Sequence, residues 1–218
     1  MFPIRDHNPS DRLPIITVLL ILLTVFVFYV QITAADFEGF ILQYALVPSS
    51  IDLLQPVTLL PFIYSIFMHG GWLHIISNMW FLWIFGDNVE AMLGHVPYAL
   101  FYLFCGVAAG VTQYLFSTSS DIPMLGASGA VAGVLGAYLA YFPHNKVDTL
   151  IVGFVGFMHK VQVPASLMLG YWFIIQIFSG VGSFGAEGGG VAWWAHIGGF
   201  AAGWVMIKVF KPSTMQKA

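Results

Sequence analysis

Charge is what this sequence has least of. Asp, Glu, Lys and Arg make up only 8% of its 218 residues, against about 25% in a soluble domain. A surface facing water on every side needs roughly three times as many, so an ordinary soluble globular protein is excluded. A disordered chain is excluded as well, because 59% of the residues are hydrophobic and 17% aromatic. Cysteine is limited to Cys105, which rules out an intramolecular disulfide framework and a cysteine-based zinc cluster. Seven bases stand against ten acids, a net charge of −3, and no basic run suits nucleic acid. With a mean hydropathy of +0.85, what remains is an all-α polytopic protein partnered by the lipid bilayer.

The few charges act as punctuation. Between Arg12 and Asp36 the chain is uncharged and rich in Ile, Leu and Val, which predicts a retained spanning helix at about 14–34. The next uncharged run, Asp52 to Asp87, is broken by Pro56, Pro61 and Gly70-Gly71. Pro and Gly interrupt helices, so this run yields one helix at about 72–86. The apolar piece before it, Leu53–Met68, reads as lying in the outer interface. Further helices are predicted at about 97–116, 124–142, 164–182 and 190–208. Thr149–His159 is apolar but too short to cross ~30 Å of hydrocarbon. No internal repeat or linker divides residues 1–218, which read as one membrane domain of six helices.

The bases fix the orientation. Arg5 and Arg12 precede the first helix, Lys146 and Lys160 lie between the fourth and fifth, and Lys208, Lys211 and Lys217 close the chain. With six crossings and both termini cytoplasmic, all seven fall on the cytoplasmic side. The opposite loops then carry only Asp36, Glu38, Asp52, Asp121 and Glu187. Trp72, Trp193 and Trp194 fall at outer helix ends, as an aromatic belt requires.

Four polar side chains lie inside these spans: His74 and Asn78 in the second helix, Ser128 in the fourth and His196 in the sixth. Each alone has a structural explanation. Serine packs as a small residue, asparagine bridges helices, and a lone histidine is hydrogen-bonded core. Together they sit at one depth, Ser128 and His196 each ~6–9 Å along their helices from the outer end. Ionisable groups in the membrane are costly unless paired or wetted, so they mark function.

Glycines bring these groups near one another. Gly129, Gly133 and Gly136 follow Ser128 at helical spacing, and Gly199 and Gly203 share a face with His196. Small-xxx-small faces let helices meet backbone to backbone, which puts the Ser128 hydroxyl within reach of His196. A serine needs a neighbouring base to become a nucleophile, and imidazole titrates near neutrality. The Ser128 amide, in the first turn of its helix, together with His74 and Asn78 at i and i+4, suits an oxyanion hole. All ten acids lie outside the spans or at their ends. This pattern permits a Ser-His dyad rather than a triad.

In its motifs the chain resembles a bacterial-type rhomboid intramembrane serine protease. The likeness rests on His74-x-x-x-Asn78, on Gly126-Ala127-Ser128-Gly129 and on Ala195-His196-Ile197-Gly198-Gly199. Also similar are His69-Gly70-Gly71-Trp72, the stretch from Phe85-Gly86-Asp87 through Glu90 to Gly94, and Val163-Pro164-Ala165. The resemblance implies a six-helix bundle that cleaves transmembrane segments of single-span proteins near the outer leaflet. It implies Ser128 as nucleophile, His196 as general base, and Asn78, His74 and the Ser128 amide as oxyanion donors. It implies no cofactor and no metal. Leu53–Met68 would belong to a first loop dipping into the outer leaflet, and Glu90 would tie the turn between the second and third helices.

The pattern departs at two places. A Trp-Arg pair found in that first loop in some relatives is missing. Ala132 stands where some carry an aromatic stacked on the catalytic histidine, so the sequence leaves the group that orients His196 unassigned.

Two expectations follow for substrate and motion. A substrate helix hides its carbonyls in its own hydrogen bonds, so cleavage sites should carry small or helix-weakening residues. The glycine-rich stretch Gly180 to Gly190 is a candidate gate for lateral entry. Competing readings are a channel or transporter, a metal site of His69, His74 and His196, and a non-catalytic binding module. Against the first, no span carries an acid for a relay; against the second, no carboxylate is placed as ligand; against the third, both Ser128 and His196 stand. Asp6 and Asp11 depart from the acid-poor pattern of a transit segment. The expected place is therefore the cell (inner) membrane, with the site opening to the extracytoplasmic side.

Overall fold

The computed structural model describes residues 2–8, 10, 12–152, 158–183 and 190–209. The chain begins with strand β1 (Phe2–Asp6), helix α1 (Ile15–Ile32) and helix α2 (Phe37–Tyr44). Three 3-10 turns (Pro48–Ser50, Pro56–Leu59, Ser65–Phe67) and the short helix α3 (Pro61–Tyr64) lead into α4 (Trp72–Leu93). Then come α5 (His95–Phe116), α6 (Ser128–Tyr141), strands β2 (Lys146–Val152) and β3 (Met158–Pro164), and helices α7 (Ala165–Gly182) and α8 (Trp193–Val209).

The outer helices are built inside out. On α1 the buried positions Thr17, Leu20, Thr24, Phe28 and Gln31 recur every three or four residues, and three of the five are polar. Leu19, Leu22, Phe26 and Tyr29 on the opposite face are more than half exposed. A helix that hides its polar stripe and presents leucine and phenylalanine is stable only where the surrounding medium is apolar. Helices α1, α5 and α7 are each long and apolar enough to cross a membrane. Pro56–Phe67 and Trp72–Leu93, bent by 79°, make a fourth span if the pair is counted as one. The chain is a multi-pass membrane protein.

Glu90 ties α4 to its neighbours more widely than at one turn. Its carboxylate, 1% exposed, accepts from Ile16 N at 2.8 Å, Thr17 N at 2.8 Å and Thr17 Oγ1 at 2.7 Å. These N–H groups open α1 and have no carbonyl in their own helix, so Glu90 caps α1 from another helix. His95 Nδ1, at the start of α5, lies 2.6 Å from the same carboxylate.

The expectation of an all-α chain needs correction. The segment between α6 and α7 forms an antiparallel β2–β3 hairpin, and β1 adds to it in the order β1-β2-β3. Its sequence Val-Asp-Thr-Leu-Ile-Val is largely β-branched, the composition that suits a pleated surface. Phe2 pairs with Leu150 and Asp6 with Val147. Asp148, 3% exposed, accepts from Lys160 Nζ at 2.6 Å, and His7 Nε2 lies 2.8 Å from it. The sheet meets α4 through β1 and α7 through β3. The Phe2 and Trp80 rings stack at 5.8 Å, and Trp80 Nε1 donates to the Pro3 carbonyl at 2.8 Å.

At the bundle's centre, α6 packs most extensively on α8 and then on α5. Of the proposed glycine-rich gate, positions 184–189 lie outside the described residues.

Candidate active site

The close approach of α6 and α8 follows from their glycines. A Cβ on Gly199 would overlap the carbonyl of Gly129, one on Gly203 the carbonyl of Gly133, and one on Gly136 the carbonyl of Phe200. Each obstacle is backbone, which no rotamer change can move. The seam therefore sets the first turns of α6 and α8 side by side, and Ser128 and His196 belong to those turns.

Ser128 stands at the first position of α6, after Ala127, which has no side-chain cap to offer. Among the described residues no acceptor faces the Ser128 N–H, so a donor and the positive helix end are left free beside the hydroxyl. The segment before it is held from several sides. Leu46 and Met124 exchange backbone bonds at 3.0 and 2.8 Å, Gly126 N donates to Ser65 O at 2.9 Å, and Ala127 N lies 3.4 Å from His69 Nε2. His69 is itself clamped: Gln31 Nε2 donates to its carbonyl at 2.7 Å, and its N–H donates to Gln31 Oε1 at 3.2 Å.

Gly126 has φ +136°, where L side chains are strained, and a Cβ there would fall 2.7–2.8 Å from His74 Cε1 and Nε2. The His74 ring thus rests against the loop that carries Ser128. Gly70 N donates to His74 Nδ1 at 3.4 Å, so in the neutral ring Nε2 bears the proton. Asn78 is 6% exposed, and one hydrogen of its amide is used on the His74 carbonyl at 3.0 Å. The second remains available.

His196, 9% exposed, is held from α7. Its Nδ1 is 2.7 Å from Gln176 Oε1, its ring is 5.7 Å from Trp172 at 34°, and Trp193 meets it edge-on at 6.3 Å. His74, Asn78, Ser128 and His196 all line one cavity of about 1390 Å³, together with Trp172, Phe81 and the loop residues Ser120 and Asp121. Ser128 and His196 share that cavity without a direct hydrogen bond. Such geometry has what acyl transfer needs: a hydroxyl, an imidazole, and three donors in a space wide enough for an extended peptide and water.

Three glutamines inside the helices hold the site without belonging to any of its sequence motifs. Gln31 holds the His69 backbone. Gln113 Oε1 accepts from Ala195 N at 3.2 Å, capping α8 beside His196, and Gln176 holds the imidazole. The signal was there, since an amide in an apolar span is as expensive unpaired as a hydroxyl.

A family model described as the Rhomboid domain matches residues 56–213. The chain is 32% identical over 100 residues to presenilin-associated rhomboid-like protein A, mitochondrial, of Danio rerio, covering 45% of this chain and 26% of that protein. It is 32% identical over 139 residues to RHOMBOID-like protein 4 of Arabidopsis thaliana, covering 64% and 31%. To rhomboid protein 1, mitochondrial, of Saccharomyces cerevisiae it is 34% identical over 87 residues, covering 38% and 25%. These matches span between a quarter and a third of the relatives' own lengths.

Proposed function

The chain belongs to the rhomboid family, and from that premise we propose that it is an intramembrane serine endopeptidase working by a Ser128–His196 dyad. Ser128 Oγ attacks the scissile carbonyl of a transmembrane segment while His196 takes its proton. The oxyanion forms beside the Ser128 N–H, His74 Nε2–H and the free amide hydrogen of Asn78. Protonated His196 then gives its proton to the departing amine, and water, activated by the same imidazole, hydrolyses the acyl-enzyme. The observation that carries this reading is the α6–α8 glycine seam, which delivers a hydroxyl and an imidazole from separate helices to one cavity.

In this reading α1, α4, α5, α6, α7 and α8 all cross the bilayer, both termini are cytoplasmic, and the protein resides in the cell (inner) membrane. Packing supports a common end for the basic segments. Tyr141 donates to Ile207 O at 3.3 Å, Ala165 N to Asn145 O at 2.8 Å, and Glu90 reaches Ile16. These contacts gather the ends of α6, α8, α7, α4 and α1 beside the sheet that carries Arg5, Lys146 and Lys160. The cavity then opens on the extracytoplasmic side, and the substrates are single-span membrane proteins.

The test is labelling of the purified protein by a fluorophosphonate, together with cleavage of a panel of single-span reporters. Wild type is labelled and cleaves; Ser128→Ala does neither, and chelators have no effect. Cleavage that persists in Ser128→Ala, or a wild type that neither labels nor cleaves, would overturn the assignment.

A further inference from the structure

We propose that Gln176 is the positioning residue of the catalytic base: it fixes the tautomer and ring orientation of His196 from α7, the task an acid performs in a triad. The proposal rests on the protease reading above and deepens it.

The orientation of the amide is settled by its second contact. Gln176 is 4% exposed, and its Nε2 lies 3.3 Å from the Trp172 carbonyl one turn earlier on α7. A backbone carbonyl only accepts, so the amide nitrogen must face it, and Oε1 must face His196. Oε1 in turn only accepts, so the imidazole nitrogen 2.7 Å away, Nδ1, must carry a hydrogen. A neutral imidazole has one N–H. The lone pair is thereby assigned to Nε2, and that nitrogen is the one able to take the Ser128 proton. With the opposite tautomer His196 could not act as base toward Ser128.

Position 132 on α6 shows why the device is needed. Ala132 lines the same cavity as His196 but presents only a methyl group, so α6 offers the imidazole no ring there. Support comes from the other side instead. Trp172 and Gln176, four residues apart on α7, face His196 together, one restraining the ring plane and the other its rotation. When His196 accepts the proton, the Nδ1–H···Oε1 bond becomes charge-assisted and strengthens. It therefore favours the transition state over the ground state. A neutral amide does this without placing a carboxylate in the membrane.

The experiment compares wild type, Gln176→Leu and Gln176→Glu as full chains in proteoliposomes with one single-span reporter. Leu keeps the volume and removes the acceptor. It is expected to lower kcat by about 10- to 100-fold, the range for a misaligned catalytic group, with KM within about twofold and fluorophosphonate labelling slowed in parallel. Glu restores the acceptor. It is expected to recover part of the lost kcat and to move the acidic limb of the kcat/KM profile upward by about one pH unit. A merely structural role would not produce that displacement. In protein labelled with ¹⁵N-histidine, the His196 shifts should report the Nδ1–H tautomer in wild type and a tautomer mixture in Gln176→Leu.

Wild-type kcat in Gln176→Leu would overturn the proposal, as would an unmoved limb in Gln176→Glu or an Nε2–H tautomer in wild type. The two levels fail differently. Activity surviving in Ser128→Ala refutes the protease reading, whereas an inactive Ser128→Ala with an unmoved Gln176→Glu profile refutes Gln176 alone. If Gln176→Leu does not fold, the Glu variant and the wild-type tautomer carry the decision.

Discussion

Replacing Gly199 by alanine tests the seam on which the whole site depends. The three nearest atoms to the new Cβ would be the carbonyl oxygen, carbonyl carbon and Cα of Gly129. All are backbone, on the turn that follows Ser128. Carbon–oxygen contacts between helices normally settle at about 3.3–3.6 Å, so α6 and α8 must part by about 1 Å or more. Overpacking of this kind costs about 1–3 kcal/mol. The larger effect falls on geometry, because a shift of about 1 Å in a catalytic group lowers rate by about 10²-fold. Gly199→Ala should therefore lower kcat and fluorophosphonate labelling about 100-fold while reducing stability only modestly, as read from reporter cleavage and thermal unfolding in the same detergent. Gly170→Ala is the matched control. Nothing lies within 4 Å of a Cβ on Gly170 in α7, so this change should be neutral or stabilise by up to about 1 kcal/mol. A Gly199→Ala protein with wild-type rate and midpoint would refute the seam as the element that aligns Ser128 with His196.

Gly126→Ala forces a side chain into φ +136° against the His74 ring; kcat should fall at least 10-fold with little change in KM, measured on the same reporter. Glu90→Ala strands the Ile16 and Thr17 N–H groups and the Thr17 hydroxyl. It should destabilise the fold by about 3 kcal/mol, seen as a lowered unfolding midpoint, while the catalytic cavity is untouched. The Lys160 ammonium, and after it the His7 ring, hold the Asp148 carboxyl down at about 2. Its stabilising contribution is thus complete above the unfolded value of about 4 and lost as pH falls toward 2. Asp148→Asn should flatten the dependence of the unfolding midpoint on pH within that window. Gly or Pro placed beside the scissile bond of a reporter should raise its cleavage and Leu-rich replacement should lower it, since a substrate helix must open before its carbonyl is reachable.

Several helices were legible because charge or proline marks where an apolar run stops or starts: α1 fills the gap between Arg12 and Asp36, and α7 opens directly after Pro164. The end expected near 86 for the second helix needs correction, because α4 carries Asp87 and Glu90 within it and runs to Leu93, and α2 (Phe37–Tyr44) was not expected. The sheet was not legible. Thr149–His159 is too short to cross a bilayer, and the β-branching of Val147–Val152 is the one local sign of a strand. The strand that completes the sheet, β1, lies more than 140 residues away, with Phe2 opposite Leu150. No local pattern announces a partner at that separation.

For the site, spacing put His74 with Asn78 on one helix face and Ser128 with Gly129, Gly133 and Gly136 along another. The fold brings His74, Asn78 and Ser128 to a single cavity with His196. Gln31, Gln113 and Gln176 belong to none of the motifs, and only their polarity within apolar helices marks them.

By itself, then, the sequence determined the medium, the helical runs and the chemical inventory. Those depend on composition and on periods of a few residues. Tertiary structure decided which side chain faces His196 Nδ1, which aromatic rings lie against the imidazole, and that Glu90 caps a helix 74 positions earlier in the chain. These are contacts between side chains from different helices. Their hydrogen-bond partners are fixed by how α4, α7 and α8 pack, and packing of that kind leaves no periodic trace along the chain.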